Sequence, residues 1–332
     1  MTTLVVSGTL SAVGSPGAWF SLLWQRFADR CAYDSPASSL RSSAVSSSPA
    51  RPGSARPGRS NKDLHYRRPS MSTSPQPLDL TGREQAVLAA LVTLHAATTG
   101  QVARIVFGDQ PSAERLARRH LERLARFGLV RRFPDRSRER KTGAAGHVHA
   151  LTAAGLRLAG GNHGLGVRQR RSWRPSKDFL AHRLMISEFY VRLIEQEREG
   201  GATVREFRSE PDCWRHYTGP AGEKLVIRPD ALARLGVGDQ EVSWFVEIEM
   251  DPARRPATLA AKCRAYRRYE LSGQEQRRHG VFPGMIFIVT APEQRCIIAR
   301  VIARRPPEDR SLFAVATVDQ AAAVMTETEL GQ

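Results

Sequence analysis

Cysteine is scarce: Cys31, Cys213, Cys263 and Cys296 are the only four in 332 residues, scattered without metal-ligand spacing. That excludes a disulfide scaffold and a cysteine zinc site, and it fits reduced thiols in a cytoplasmic protein. Long apolar runs are missing as well. Met1 to Trp24 is mildly apolar, but Gly14, Pro16 and Gly17 interrupt it and no basic segment precedes it. Neither a signal peptide nor a membrane span is expected. Acidic residues are also in deficit, 33 Asp and Glu against 50 Lys and Arg, which leaves a formal net charge of +17. Such a chain calls for a polyanionic partner, most simply nucleic acid, because Lys and Arg neutralise phosphates and release counterions. An arginine- and alanine-rich composition also follows from a GC-rich genome, so the location of the charge matters more than its sum.

Residues 1–77 are rich in Ser, Pro, Arg and Gly, above all from Ser35 to Ser60, and show neither helical nor strand periodicity. They cannot bury a core, and disorder is expected there. Met71 opens Met-Ser-Thr-Ser-Pro-Gln-Pro directly before the first structured element, which makes an over-extended start at Met1 one reading. A flexible basic arm that adds nonspecific DNA affinity is the other.

The first folded unit is expected over 78–160. Thr81 with Glu84 three residues later is a capping-box pattern, and Val87, Leu88, Leu91, Val92 and Leu94 follow as an apolar helical face. A short second helix opens at the Thr98–Thr99 pair. Ser112 is placed to cap a third, in which Leu116, Leu121 and Leu124 point inward and Arg115, Arg118, Arg119, Arg123 and Arg126 occupy the other faces. A strand from Gly128 to Phe133 carrying Arg131, a polar loop with Arg136, Arg138, Arg140 and Lys141, and a returning strand over His147–Leu151 complete the pattern. Three helices with the last one basic, then a hairpin, is the layout of a winged helix-turn-helix. Leu121-x-x-Leu-x-x-x-Gly-Leu-Val130 resembles many bacterial winged-helix proteins. Arg115, Arg118, Arg119, Arg123, Arg131, Arg138, Arg140 and Lys141 are then the candidate contacts to duplex DNA. A merely solvated helix face, or a winged helix used for protein contacts, are the plainer readings. His147 and His149 lack a third ligand, so a metal there is not expected.

Glycines mark a linker over 161–175, with a basic cluster from Arg168 to Arg174. The second unit, 176–320, begins with an amphipathic helix from about Ser176 to Glu199. It carries His182, expected to be packed or hydrogen-bonded, and Glu188, either a surface residue or a group reaching an acidic cluster. Strands are expected near 203–207, 226–235, 243–250, 285–289 and 312–315, with helices near 256–271 and 293–303. Ile286 to Val289 is continuously apolar, as a strand covered on both faces requires. Glu247 and Glu249 are two apart in a strand and so project to one face. With Asp230 on a neighbouring strand they make three grouped carboxylates, which repel one another unless a cation compensates them. An all-oxygen site of this kind suits magnesium.

Pro229-Asp230, a gap, and Glu247-x-Glu249 followed by a helix resemble the PD-(D/E)xK nuclease-like core. The implied fold is α+β or α/β, in the order αβββαβ with a central mixed sheet. The resemblance implies Asp230 and Glu247 as metal ligands and a lysine at 249 that orients the attacking water. Position 249 is Glu instead, and Lys262 on the following helix is the available substitute. Arg254, Arg255, Arg264, Arg267 and Arg268 would then track a phosphate backbone, with Tyr266 and Tyr269 packed or stacked. A winged helix joined to this core resembles the replication-relaxation family of plasmids and integrative elements. That resemblance rests on Leu78 to Thr81, Leu121 to Val130, His182-x-Leu-x-x-x-Glu188-Phe, Ile227-Arg-Pro-Asp230 and Phe245-Val-Glu-Ile-Glu249-x-Asp251. It implies a DNA-binding accessory protein of replication or mobilisation, with double-stranded DNA and the element's replication or relaxase proteins as partners and no membrane. A magnesium-dependent endonuclease using Asp230, Glu247, Glu249 and Lys262 is the alternative. A winged-helix transcriptional regulator is a third reading, without a pocket signature to support it.

Overall fold

The computed structural model describes residues 79–135, 147–160 and 176–327. Residues 1–78, the loop with Arg136, Arg138, Arg140 and Lys141, and the glycine-rich 161–175 stretch lie outside them. Helix α1 spans Gly82–Leu94. Thr81 starts it as expected: its Oγ1 accepts the Glu84 N–H, and the Glu84 carboxylate accepts the Thr81 N–H at 3.0 Å. Two residues, Ala97–Thr98, form strand β1, and Thr98 repeats the capping box with Gln101 to open α2 (Thr99–Phe107). Helix α3 covers Ala113–Arg126, but Ser112 makes no side-chain cap bond to it. Strands β2 (Val130–Pro134) and β3 (His147–Leu151) pair antiparallel, and β1 adds to the far side of β3. Val87, Leu91, Val102, Ala117, Leu121 and Leu124 close one apolar core between the three helices and this sheet. Helix α4 (Ala153–Leu158) sits so close to the start of β2 that a Cβ on Gly155 would lie 2.1 Å from the Leu129 carbonyl oxygen.

Helix α5 (Lys177–Arg198) begins at a Ser176 cap, as the sequence predicts. Strand β4 (Thr203–Ser209) follows, and then a separate hairpin of β5 (Arg215–Thr218) and β6 (Lys224–Ile227). The strand expected over 226–235 is therefore split. Its first residues belong to β6, and β7 begins only at Ala231 (Ala231–Val237), because Pro229 has no N–H to give to a ladder. Strand β8 spans Gln240–Glu249, α6 Pro256–Leu271, α7 Gln274–His279, β9 Gly284–Val289, α8 Pro292–Ala303, α9 Pro307–Arg310, β10 Phe313–Thr317 and α10 Ala321–Glu327. The central sheet is mixed, ordered β10-β9-β8-β7-β4, with β8, β9 and β10 parallel and β4, β7 and β8 antiparallel. All six residues of β9 are buried, as the continuous apolar run requires. One face of the sheet packs on α6 and α8 through Phe245, Leu259, Tyr266, Phe287 and Ile302. The other packs on α5 and α10 through Phe189, Trp244, Val246, Ile288 and Met325.

The two units meet in an apolar contact of Ala96 and Val148 with Leu180 and Leu184, and in a polar seam beside it. The Arg104 guanidinium on α2 forks onto Glu195 of α5 with two bonds of 2.6 Å and reaches Glu188 at 2.7 Å. Gln101 Nε2 donates to the Leu184 carbonyl, and the Ser187 and Ser209 hydroxyls donate to the carbonyls of Ala96 and Thr93. Glu188 accordingly joins this seam, where it binds Arg104 and Gln101, and is neither a free surface group nor a partner of the acidic cluster.

Candidate functional site

Three segments meet at one end of β7 and β8. The Asp230 N–H donates to Val246 O at 2.9 Å, which sets the residue beside β8 just ahead of the paired register. Its Oδ2 accepts the Ile248 N–H at 2.7 Å, and its Oδ1 lies 3.0 Å from His182 Nε2 on α5. Strand periodicity turns Glu247 to the same side as Phe245, toward α6. There Glu247 Oε2 accepts from Lys262 Nζ and Oε1 from the Tyr266 hydroxyl, both at 2.6 Å. Glu249 accepts the Arg254 Nε–H at 3.0 Å and the Asp251 N–H at 3.0 Å. Asp230, Glu247, Glu249 and Lys262 are thus neighbours, but each acid has its own protein partner.

The electrostatics follow from burial and these partners. Burial pushes the Glu247 carboxyl up, the nearby Asp230 charge adds to the rise, and Lys262 opposes both. Burial works against the Lys262 ammonium, yet Glu247, Asp230 and Glu249 together hold it above the usual lysine range. At 2.6 Å with a second donor on Glu247, this is an ion pair, and its cation is supplied by the chain. Burial disfavours charge on His182, but the hydrogen bond and charge of Asp230 prevail and raise it.

On the first unit, α3 buries Ala113, Ala117, Leu121 and Leu124 and leaves Arg115, Arg118, Arg119 and Arg126 exposed. Arg118 makes only an exposed ion pair with Glu114 at 3.2 Å, a contact worth little in water. Arg123 is different. Its guanidinium turns inward to Glu84, which is fully buried, and stacks 5.1 Å from the centre of the Phe127 ring. Arg131 is half-buried on β2, and Arg138, Arg140 and Lys141 fall outside the described residues.

Residues 88–285, from within α1 to the start of β9, match the family model described as replication-relaxation. The chain belongs to the replication-relaxation family. No curated protein and no solved structure matches it. Membership suggests a role in replication or mobilisation, with DNA and the replication machinery as its setting. Among the described residues of this replication-relaxation protein, no helix is long and apolar enough to cross a membrane.

Two residues at the site were not legible as such. Glu210 follows β4 in sequence without any motif around it, yet its N–H donates to Asp230 O at 2.9 Å. For Tyr266 the sequence predicts only packing or stacking, yet its hydroxyl is a direct partner of Glu247. The single available signal was spacing: Lys262 and Tyr266 are four apart on a helix and so share a face.

Proposed function

We propose that this replication-relaxation protein is a DNA-binding accessory factor that holds duplex DNA through a winged helix made of α1 to α3 and the β2–β3 hairpin. The observation that carries the reading is the outer face of α3. Its inner face is locked into the core by Ala117, Leu121 and Leu124, so Arg115, Arg118 and Arg119 stand on a packed helix, exposed and, among the described residues, without a buried counter-ion. Helices of this kind enter the major groove, where arginines meet phosphates and base edges. Arg123 is removed from the contact set because it is committed to Glu84.

The test is a salt series of mobility-shift or fluorescence-anisotropy titrations on duplex DNA. Each of Arg115→Ala, Arg118→Ala and Arg119→Ala is expected to weaken binding and to lower the slope of log K against log salt by about 1 for a phosphate contact. Binding that is indifferent to all three substitutions, in folded protein, would exclude α3 as the DNA-contacting surface.

A second reading, a magnesium-dependent endonuclease, is favoured by one observation: Lys262 reaches Glu247 from α6, as a displaced catalytic lysine would. Magnesium fits the Asp230–Glu247 pair poorly in this arrangement, because the Lys262 ammonium already compensates Glu247 and the Tyr266 hydroxyl covers its other oxygen. Incubating the same protein–DNA complexes with magnesium separates the two readings. Intact supercoiled DNA supports the accessory role, and nicking that Asp230→Ala abolishes supports the nuclease.

A further inference from the structure

The acid that the nuclease pattern shares with its surroundings, Asp230, has other neighbours than Glu247. One ligand atom each from His182, Glu210 and Asp230 lies within 4.8 Å of the others. The three come from separate places: His182 from α5, Glu210 from the turn after β4, and Asp230 from the residue before β7. We infer that His182, Glu210 and Asp230 form a binding site for a divalent first-row transition metal such as manganese or zinc, distinct from the Asp230–Glu247 pair.

The backbone holds the three in place independently of any ion. The Glu210 N–H is fixed to Asp230 O at 2.9 Å, and the Glu210 carbonyl accepts from Arg183 Nη2 at 2.8 Å. The Ile248 N–H anchors Asp230 Oδ2, which leaves Oδ1 turned to the His182 ring nitrogen. Among the described residues the Glu210 carboxylate accepts no hydrogen bond. Its closest cation, Arg183 Nη1, is 3.5 Å away and is itself buried without a hydrogen-bond partner. A half-buried carboxylate with one long ion pair and no hydrogen bond, facing an imidazole and a second carboxylate, is the donor set that manganese and zinc take up. The hydrogen bond between His182 Nε2 and Asp230 Oδ1 joins two atoms that can both ligate a metal ion. Arg183 offsets part of the charge of the two carboxylates, and three protein ligands leave further positions open to water or an anionic oxygen.

The proposal is tested on the full chain without DNA, so that its outcome is independent of the DNA-binding reading. Chelator-treated protein is titrated with manganese and followed by electron paramagnetic resonance, with zinc added as competitor. One tight equivalent is expected, displaced by zinc, and pulsed spectra should show coupling to an imidazole nitrogen. His182→Ala should abolish that coupling, and His182→Ala and Glu210→Gln should each weaken binding by more than the ~10–100-fold typical of outer partners of metal ligands. Glu247→Gln should leave both readouts unchanged. Circular dichroism in chelator establishes that each variant is folded, and His182→Gln replaces any alanine variant that is not. Absence of a tight equivalent, nitrogen coupling that survives both substitutions of His182, or loss of binding in Glu247→Gln but not Glu210→Gln would each overturn the site.

Discussion

Glu84 is fully buried and takes hydrogen bonds from the Thr81 N–H and hydroxyl and from the Arg123 guanidinium, with His120 Nδ1 3.5 Å from its other oxygen. Burial by itself raises this carboxyl, but the bonds from Arg123 and Thr81 overcome it and hold the group at about 2. A carboxylate depressed in the folded state stabilises the protein above its ordinary pKa and loses that contribution as pH falls through the folded value. His149, buried on β3 beside the Thr99 hydroxyl at 2.9 Å, is pushed down to about 4 by burial, so folding favours its neutral form. Its contribution is complete above the ordinary histidine value of 6.5 and is lost from there down to about 4. Urea denaturation across this range is expected to show stability falling in two steps, the His149 step first and the Glu84 step from about 4.5 toward 2. Glu84→Gln should shrink the lower step, to which Glu195, held down by Arg104, also contributes, and leave the upper step in place. Arg123→Ala leaves a buried carboxylate short of its main donor and should cost about 1–3 kcal/mol of stability, while DNA affinity per folded molecule stays close to wild type.

At the scale of elements, local chemistry explains where each piece starts and stops. Two capping boxes open α1 and α2, and Pro256 and Pro292 sit in the first turns of α6 and α8, where a missing N–H costs nothing. Pro229 separates β6 from β7 and thereby delivers Asp230 to a strand entrance, where its side chain can leave the ladder and meet α5. Helix α4 depends on close approach. Its Gly155 lies under the Leu129 carbonyl, and a methyl group at 2.1 Å forces α4 away from β2. Gly155→Ala is expected to destabilise the first unit by about 1–3 kcal/mol, read as a lower thermal midpoint with unchanged secondary structure. An unchanged midpoint would mean that α4 is not packed as described.

For the molecule as a whole, the seam between the two units combines an apolar contact, Ala96 and Val148 against Leu180 and Leu184, with directional polar bonds. Arg104 joins Glu188 and Glu195 through a fork of short charge-assisted bonds, and Arg198 returns the connection by donating to the carbonyls of Arg104 and Ile105. Such a seam orients α3 relative to the site at Asp230 and couples the units thermodynamically. Arg104→Ala should cost about 1–3 kcal/mol and speed hydrogen exchange at both α2 and the facing turns of α5. Faster exchange confined to α2 would show that the units are held together by other contacts.

Elements with a local cause are readable along the chain. The Thr81–Glu84 box, the Ser176 cap, the two-residue alternation of Glu247 and Glu249 and the apolar run Ile286 to Val289 all appear where residue chemistry places them. Also readable is that Asp230, Glu247 and Lys262 are neighbours, since a strand entrance, a strand and the next helix carry them in order. What those charges do depends on the residues that folding brings against them. Arg123 was one of five arginines on α3 until the fold buried Glu84 beneath it, and Glu188 was a free glutamate until α2 brought Arg104 across. Glu210 carried no signal at all, because its proximity to Asp230 and His182 arises from pairing between β4 and β7 and from the placement of α5. Charge partners are chosen by distance in space, and a periodicity measured along the chain carries no information about which distant side chain will fall within 3 Å.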